Sequence, residues 1–353
     1  MTKLFIEMLQ VAIGIREKLS KIPSDAEWIS IYEIAQKQSV AGFCFDALNL
    51  LAERGQKAPL GLLYEWIGLS EQIKQRNILL NKRCVELTQH FSQHGFKSCI
   101  LKGQPNALMY PNPTVRTSGD IDIWIDAPAK DIIDFVRSSF PKSIATSLHI
   151  DYPIFEDVDV EVHFIPFYSI IGRRKKTIEK YIEFNRKEQF DNIVTFNDIN
   201  GCVNRPTDQF NMTLQLLHMQ KHFFRGGIGL RHIVDFYYLL LHLREGGNLN
   251  VEKYSRLLKD LGLQKFAEAI MWILSYVFKM KEEYIVTSPN ENRGKLVFQE
   301  VLMTGNFGHY EKRNFKHLIK YSTTLSLIAR NIRLFRYFPE EAISAPLSGL
   351  FKK

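Results

Sequence analysis

The sequence predicts an α+β fold in which a small core of strands and helices lies between two helical regions. Three observations support this prediction. Apolar residues recur at helical spacing near the N-terminus, short alternating segments follow, and helical spacing returns in the last third of the chain. We therefore expect an N-terminal helical region over residues 1–94, an α/β core over residues 95–205 and a C-terminal helical region over residues 206–353.

The composition is that of an ordinary globular protein. The chain has 353 residues, of which 45% are hydrophobic and 24% charged, which argues against a disordered or coiled-coil chain. Its apolar runs are shorter than the ~20 residues that span a bilayer, and its N-terminus lacks a signal-peptide core. The 4 cysteines show no CxxC spacing and are interpreted as reduced core thiols. We expect a cytoplasmic protein without a membrane partner.

The first predicted strand covers Ser98 to Leu101, after a helix that stops at Gly95. The strand runs into Lys102 and Gly103. A glycine turn lets backbone N–H groups approach a phosphate, and Lys102 adds a positive charge. The alternative is an ordinary turn at the end of a strand.

The second predicted strand, Asp120 to Ile125, alternates acidic and apolar residues. A period of two places Asp120 and Asp122 on the same face, with isoleucines on the other. Two such carboxylates repel each other, and a bound Mg²⁺ or Mn²⁺ removes that repulsion. The alternative is the solvated acidic face of an edge strand.

A helix is predicted from Pro128 to Phe140, and a third strand from Asp157 to Phe164. This strand places Asp159, Glu161 and His163 on one face. Glu161 is the candidate third carboxylate of a two-metal site built from neighbouring strands.

Two helices, Asp208 to Phe223 and Leu230 to Leu243, are predicted around a glycine-rich turn. The first carries a polar stripe of Asn211, Gln215, His218 and His222, which either lines a cleft or forms a hydrogen-bonded interdomain surface. The two histidines are four residues apart but lack the glutamate of the HExxH motif, which argues against a zinc protease. On the second helix, Arg231 and Asp235 are either ligand-orienting groups or surface charges.

These motifs, in this order, resemble the uncharacterised bacterial nucleotidyltransferase family of the DNA-polymerase-β-like superfamily. The resemblance spans most of residues 80–240 and rests on Leu101-Lys102-Gly103, Tyr110-Pro111, Arg116, Gly119-Asp120-Ile121-Asp122-Ile123, Val160-Glu161-Val162-His163, Leu217 to Phe223, Gly227 to Arg231 and Asp235. It implies a short mixed sheet whose acids bind Mg²⁺, and transfer of a nucleoside monophosphate from an NTP such as ATP to an acceptor. The usual Gly-Ser pair is Gly103-Gln104 here.

The leading hypothesis follows from the residues and the resemblance together. Asp120, Asp122 and Glu161 are the expected catalytic and metal-binding residues, and Lys102, Gly103 and Arg116 the expected nucleotide-binding residues. The expected acceptor-binding residues are Asn211, Gln215, His218, His222, Arg231 and Asp235.

Two other functions remain open from the sequence. One is an inactive nucleotide-binding or adaptor protein, suggested by the Gly103-Gln104 departure. The other is a nucleic-acid-binding protein, suggested by the formal charge of +8 and the basic cluster Arg173 to Lys176.

Overall fold

The N-terminal part of the protein is helical. The computed structural model describes residues 2–196, 199–310 and 323–350. Its first helices are α1 (Thr2–Ala12), α2 (Asp25–Lys37), α3 (Ala41–Glu53) and α4 (Leu60–Gln93). Helix α2 begins at a capping box, in which the Ser24 side chain accepts from the Glu27 backbone and Glu27 accepts from the Ser24 backbone. The 34-residue helix α4 leads directly to the sheet.

The strands form a mixed sheet in the order β1-β2-β4-β3. These strands are β1 (Ser98–Ile100), β2 (Ile121–Ile125), β3 (His149–Asp151) and β4 (Val160–His163). Strand β2 is antiparallel to β1 and parallel to β4, and β3 is antiparallel to β4. The predicted α+β class is confirmed, and the third predicted strand is β4. Strand β3 was not predicted from the sequence.

Shorter elements surround this sheet. They are α5 (Gln104–Ala107), α6 (Ala129–Ser139), α7 (Lys175–Gln189) and a hairpin of β5 (Ile193–Thr195) and β6 (Cys202–Asn204). Cys202 in the hairpin is exposed, whereas the other 3 cysteines are buried. The expectation of core thiols is therefore wrong for Cys202, and all 4 thiols are free.

The two faces of the sheet bury different cores. Ile121, Ile123 and Ile125 pack with α4 and α6 on one face. Trp124 points to the other face, where its ring stacks on Phe210 at 6.1 Å between centroids. Because Asp122 alternates with the isoleucines as Trp124 does, it also lies on this second face.

Phe210 belongs to α8 (Asp208–Arg225), the first of the C-terminal helices. It is followed by α9 (Leu230–Glu245), α10 (Val251–Asp260), α11 (Gln264–Val277), α12 (Glu291–Thr304), α13 (Thr323–Ile332) and α14 (Pro339–Leu350). Residues 311–322, which belong to the expected C-terminal helical region, lie outside the described residues. Across the described ranges, no helix has the length and apolar character required to cross a membrane.

Helices from the two ends of the chain share one apolar core. Buried glutamines of the N-terminal part form hydrogen bonds to the C-terminal helices. Gln10 donates to the Val277 carbonyl of α11 at 2.8 Å, and Gln38 donates to the Val301 carbonyl of α12 at 2.9 Å. Side-chain amides that donate to helix-end carbonyls remove the cost of burying unpaired polar groups. The N-terminal and C-terminal helices therefore form one support for the sheet.

A buried ion pair ties the loop before β2 to helix α9. Arg116 donates twice to Asp235, from Nε to Oδ1 and from Nη2 to Oδ2, both at 2.8 Å. Tyr110 donates its hydroxyl to the same Oδ1 at 2.7 Å. The side chains of Arg116 and Asp235 are each 5% exposed. This bidentate contact fixes how the chain enters β2, and so where Asp120 and Asp122 lie.

We expect Asp235→Leu to lower the free energy of unfolding by about 3–5 kcal/mol, because it leaves the Arg116 guanidinium buried without its counter-ion. The control is Asp126→Leu, whose carboxylate pairs with Arg186 at the surface. Loss of that exposed pair costs under about 1 kcal/mol. Urea unfolding followed by circular dichroism measures both, and equal losses in the two variants would contradict the structural role of Asp235.

Candidate active site

Three carboxylates meet at one edge of the polar sheet face. Asp120 precedes β2, Asp122 lies within it, and Glu161 is the register partner of Asp122 on the parallel strand β4. One carboxylate oxygen from each residue lies within 4.8 Å of the others. The structure thus brings together the three expected catalytic residues. Three convergent carboxylate oxygens are the ligands that Mg²⁺ and Mn²⁺ accept, so the residues fit a divalent cation.

A lysine and a histidine contact the buried Asp122, which is 2% exposed. Lys102 Nζ lies 2.9 Å from Oδ2, and His163 Nε2 lies 2.9 Å from Oδ1. Burial by itself raises the pKa of Asp122, but the Lys102 charge and the His163 hydrogen bond outweigh it and hold that pKa far below its usual range. The negative charge of Asp122 in turn raises the pKa of the exposed Asp120.

His163 was placed on the face of Glu161 by strand alternation but was not assigned to the site. Burial lowers the pKa of its imidazole, and hydrogen bonds to Asp122 and Glu161 more than reverse this, so the pKa is raised. The sequence did carry a signal for this role, because His163 follows Glu161 by two residues and so shares its face of the strand. Its contact with Asp122 depends on the pairing of β2 with β4, which periodicity does not reveal.

The acids lie between two cavities that share Lys102, Asp122 and His218. We call the first the arginine cavity; it includes Gly103, Arg116, Asp120 and Arg231. The second, the histidine cavity, includes His149, Glu161, His163, Lys221 and His222. Asp122 therefore lies where the two cavities meet.

The turn after β1 contributes backbone to the arginine cavity. Gly103 has a φ of 76°, a left-handed conformation that favours glycine. The next residue, Gln104, turns away from the cavity: its Nε2 donates to Asn77 and Asn81 of α4. Gln104, which stands where the family usually has Ser, is thus a buried structural residue. Gly103 and Lys102 are the residues of this turn that line the cavity.

Arg231 is a cation whose hydrogen-bond partner in the described part of the chain is a backbone carbonyl. Among the described residues, no carboxylate oxygen lies within 4.0 Å of its guanidinium, and Nη1 donates to the Thr117 carbonyl at 2.7 Å. Burial, followed by the positive charge of Arg116, lowers the pKa of Arg231 to about 10. Arg116 also lines this cavity, but Asp235 neutralises it. Arg231 is thus poised for an anion.

Helix α8 forms one wall of both cavities, and different residues of its polar stripe line each cavity. Gln215 and His218 line the arginine cavity, and His218 and His222 line the histidine cavity. Asn211 is buried beside them and donates to Asn106 Oδ1 at 2.9 Å. The stripe thus combines a cleft wall with a hydrogen-bonded interior contact, the two alternatives raised by the sequence.

Two further side chains complete this wall, and the sequence analysis missed them. His232 lies 5.6 Å from His218 between ring centroids, and Phe307 packs against both His222 and His232. Burial, reinforced by nearby cations, lowers the pKa of His218, His222 and His232 well below its usual value. The wall opposite the acids is therefore a set of neutral imidazoles. His232 lies between the motif residues Arg231 and Asp235 but was not itself singled out, and Phe307 belongs to a segment that carries no motif.

Two of the four residues in the basic cluster contact the C-terminal helices. Arg173 pairs with Glu340 of α14, and Arg174 donates to the Asp260 carbonyl at 3.0 Å. Both arginines fasten the start of α7 to the C-terminal helices. These two contacts give Arg173 and Arg174 a structural role, whereas the formal charge of +8 that also suggested nucleic-acid binding is unchanged.

Two comparisons with known proteins give a match. A family model described as uncharacterised nucleotidyltransferase matches residues 24–279. Among solved structures, an antigenic nucleotidyltransferase-like protein from Paracoccidioides brasiliensis is 14% identical with a TM-score of 0.32, covering 60% of this chain and 95% of its own. No curated protein matches. Because the family match covers well over half of the chain, the protein belongs to the uncharacterised nucleotidyltransferase family.

Proposed function

We propose that this protein transfers a nucleoside monophosphate from an NTP to an acceptor hydroxyl. The observation that carries the proposal is the convergence of Asp120, Asp122 and Glu161 beside Arg231 and the turn at Gly103. In the reaction, the acceptor oxygen forms a bond to the α-phosphorus, the bond from that phosphorus to the bridging oxygen breaks, and pyrophosphate leaves. The hydroxyl proton passes to a carboxylate, for which Glu161 is the candidate.

Asp120, Asp122 and Glu161 would hold Mg²⁺ or Mn²⁺. A bound divalent cation neutralises phosphate charge and makes the acceptor hydroxyl easier to deprotonate. The carboxylates position the reacting groups, and the low exposure of Asp122 keeps its charge in a weakly screened environment. Phosphoryl transfer needs little more from a protein than positioning and charge stabilisation.

The two cavities suit the two substrates differently. The arginine cavity offers Arg231, Lys102 and the backbone at Gly103, which complement a triphosphate. Arg116 acts mainly through Asp235, by holding the loop that leads to Asp120. The histidine cavity borders Glu161 and carries the neutral imidazoles of α8, which can donate or accept hydrogen bonds. We therefore assign the acceptor to the histidine cavity, with His218 at the boundary.

The chain could instead have retained nucleotide binding without transfer. The observation in favour of this second function is that Gln104 supplies no hydroxyl to the phosphate turn, since its side chain is buried against α4. An adaptor would bind NTP without ever releasing pyrophosphate. The measurements below separate the two functions.

We expect Asp120→Asn to reduce metal-dependent pyrophosphate release at least about a hundredfold, the scale of losing one electrostatic contact in the transition state. The fold should persist with an unchanged or higher Tm, because the substitution relieves repulsion with Asp122. Label transfer from α-phosphate-labelled NTPs, with a cell extract as the source of acceptor, checks activity. Asp134→Asn on the exposed side of α6 is the control. Full activity of a folded Asp120→Asn variant would refute the catalytic assignment.

We expect Arg231→Met to weaken NTP binding about tenfold to a hundredfold, since charge-assisted hydrogen bonds contribute ~1.5–3 kcal/mol. The fold should not lose stability, because the variant removes a partly buried cation that has no carboxylate partner among the described residues. Calorimetry with a non-hydrolysable NTP analogue measures the affinity. The matched control is Arg256→Met, whose side chain is 81% exposed. Equal affinity in both variants would place the triphosphate elsewhere.

A further inference from the structure

We propose that His149, Glu161 and His163 form a second metal site, suited to a transition-metal ion of the zinc class. It lies beside the carboxylate group of Asp120 and Asp122 and shares Glu161 with it. The proposal does not rest on nucleotide transfer, since it concerns which ions the resting protein binds.

The strand register places the three side chains on one surface. His149 of β3 is the direct antiparallel partner of His163 of β4, and directly opposite residues point to the same face. Glu161 lies two residues before His163 on the same strand and therefore shares that face. The three donors thus come from two paired strands, a rigid support for a metal.

The distances between the donor atoms match a tetrahedral ion. Glu161 Oε2 lies 3.2 Å from His149 Nδ1 and 3.4 Å from His163 Nε2. Ligands bound to Zn²⁺ at its usual bond lengths are separated by about 3.3 Å along a tetrahedral edge. The three donor atoms also lie within 4.8 Å of one another. Closing them around an ion exchanges the 2.9 Å contact of His163 Nε2 with Asp122 Oδ1 for a bond to the ion.

The ring nitrogens of His149 and His163 that face away from the proposed ion have contacts typical of metal-binding histidines. His163 Nδ1 lies 3.3 Å from the Ile165 carbonyl, the type of contact that orients a metal-binding imidazole. His149 Nε2 lies 3.8 Å from Asp151 Oδ1. His149 Nδ1 is buried and makes no hydrogen bond within the described structure, although it faces Glu161. This nitrogen therefore faces the other two donors, and its close contact there is with Glu161 Oε2 at 3.2 Å.

The donor set selects the class of metal. Two imidazoles and one carboxylate suit Zn²⁺ and related transition metals, whereas Mg²⁺ prefers oxygen ligands throughout. Three protein ligands leave one position of a tetrahedral site open, as in catalytic zinc sites. These residues line the histidine cavity, so a bound ion is accessible from the compartment assigned to the acceptor.

The test uses the full-length protein stripped of metal. Equilibrium dialysis measures Zn²⁺ binding, Co²⁺ absorption spectroscopy reports the coordination geometry, and Mn²⁺ electron paramagnetic resonance reports the carboxylate group. We compare the wild type with His149→Ala, His149→Gln and Asp120→Asn. His242→Ala, which changes a half-exposed histidine of α9, is the control. Circular dichroism verifies that each variant is folded.

The wild type and His242→Ala should bind Zn²⁺ and give the intense Co²⁺ absorption of a four-coordinate site. Both His149 variants should lose at least about tenfold in Zn²⁺ affinity, the loss seen even for groups outside the ligand shell. They should keep Mn²⁺ binding, whereas Asp120→Asn should lose Mn²⁺ and keep Zn²⁺. Equal Zn²⁺ affinity in folded His149 and wild-type proteins, or weak six-coordinate Co²⁺ absorption in the wild type, would overturn the proposal. These metal-binding results do not depend on transferase activity, so failure of the zinc-site proposal can be distinguished from failure of the nucleotidyltransferase proposal.

Discussion

The buried charge of Asp122 is the constraint around which the structure is organised. A carboxylate removed from water is unfavourable unless cations and hydrogen bonds compensate it. Here the compensation comes from Lys102, two residues after β1, and from His163 at the end of β4. The order β1-β2-β4 is what brings these neighbours to the two sides of β2. The Asp122 side chain therefore links the three strands through its charge, in addition to the backbone hydrogen bonds between them.

The same arrangement separates the surroundings of Asp122 into two compartments. Arg231 and the Gly103 turn lie on one side, and the imidazoles and Glu161 lie on the other. Glu161 is a member of both candidate metal groups, one made of carboxylates and one containing His149 and His163. A shared carboxylate places the two groups next to each other, so their electrostatics are coupled at one residue.

The helices give this site its walls and its rigidity. Helix α8 covers the sheet through Phe210 and Trp124 and carries His218 and His222 into the cleft from the same element. The Arg116–Asp235 pair holds the loop before β2 against α9. Because the N-terminal and C-terminal helices share one core, the support of α8 and α9 depends on both ends of the chain. Positions far from the acids in sequence thus determine the geometry around them.

The sequence by itself determined the α+β class, the strand of Asp120 and Asp122, and the alternation of β4, because periodicity is local and records which face a residue occupies. It also indicated that α8 has one polar side. The pairing of β3 with β4, the carboxylate partner of Arg116, and the roles of His149, His232 and Phe307 were decided by the tertiary structure. These depend on contacts between residues distant in the chain, and such contacts leave no periodic signal. A lone histidine or phenylalanine looks the same in sequence whether it packs in a core or faces a cleft.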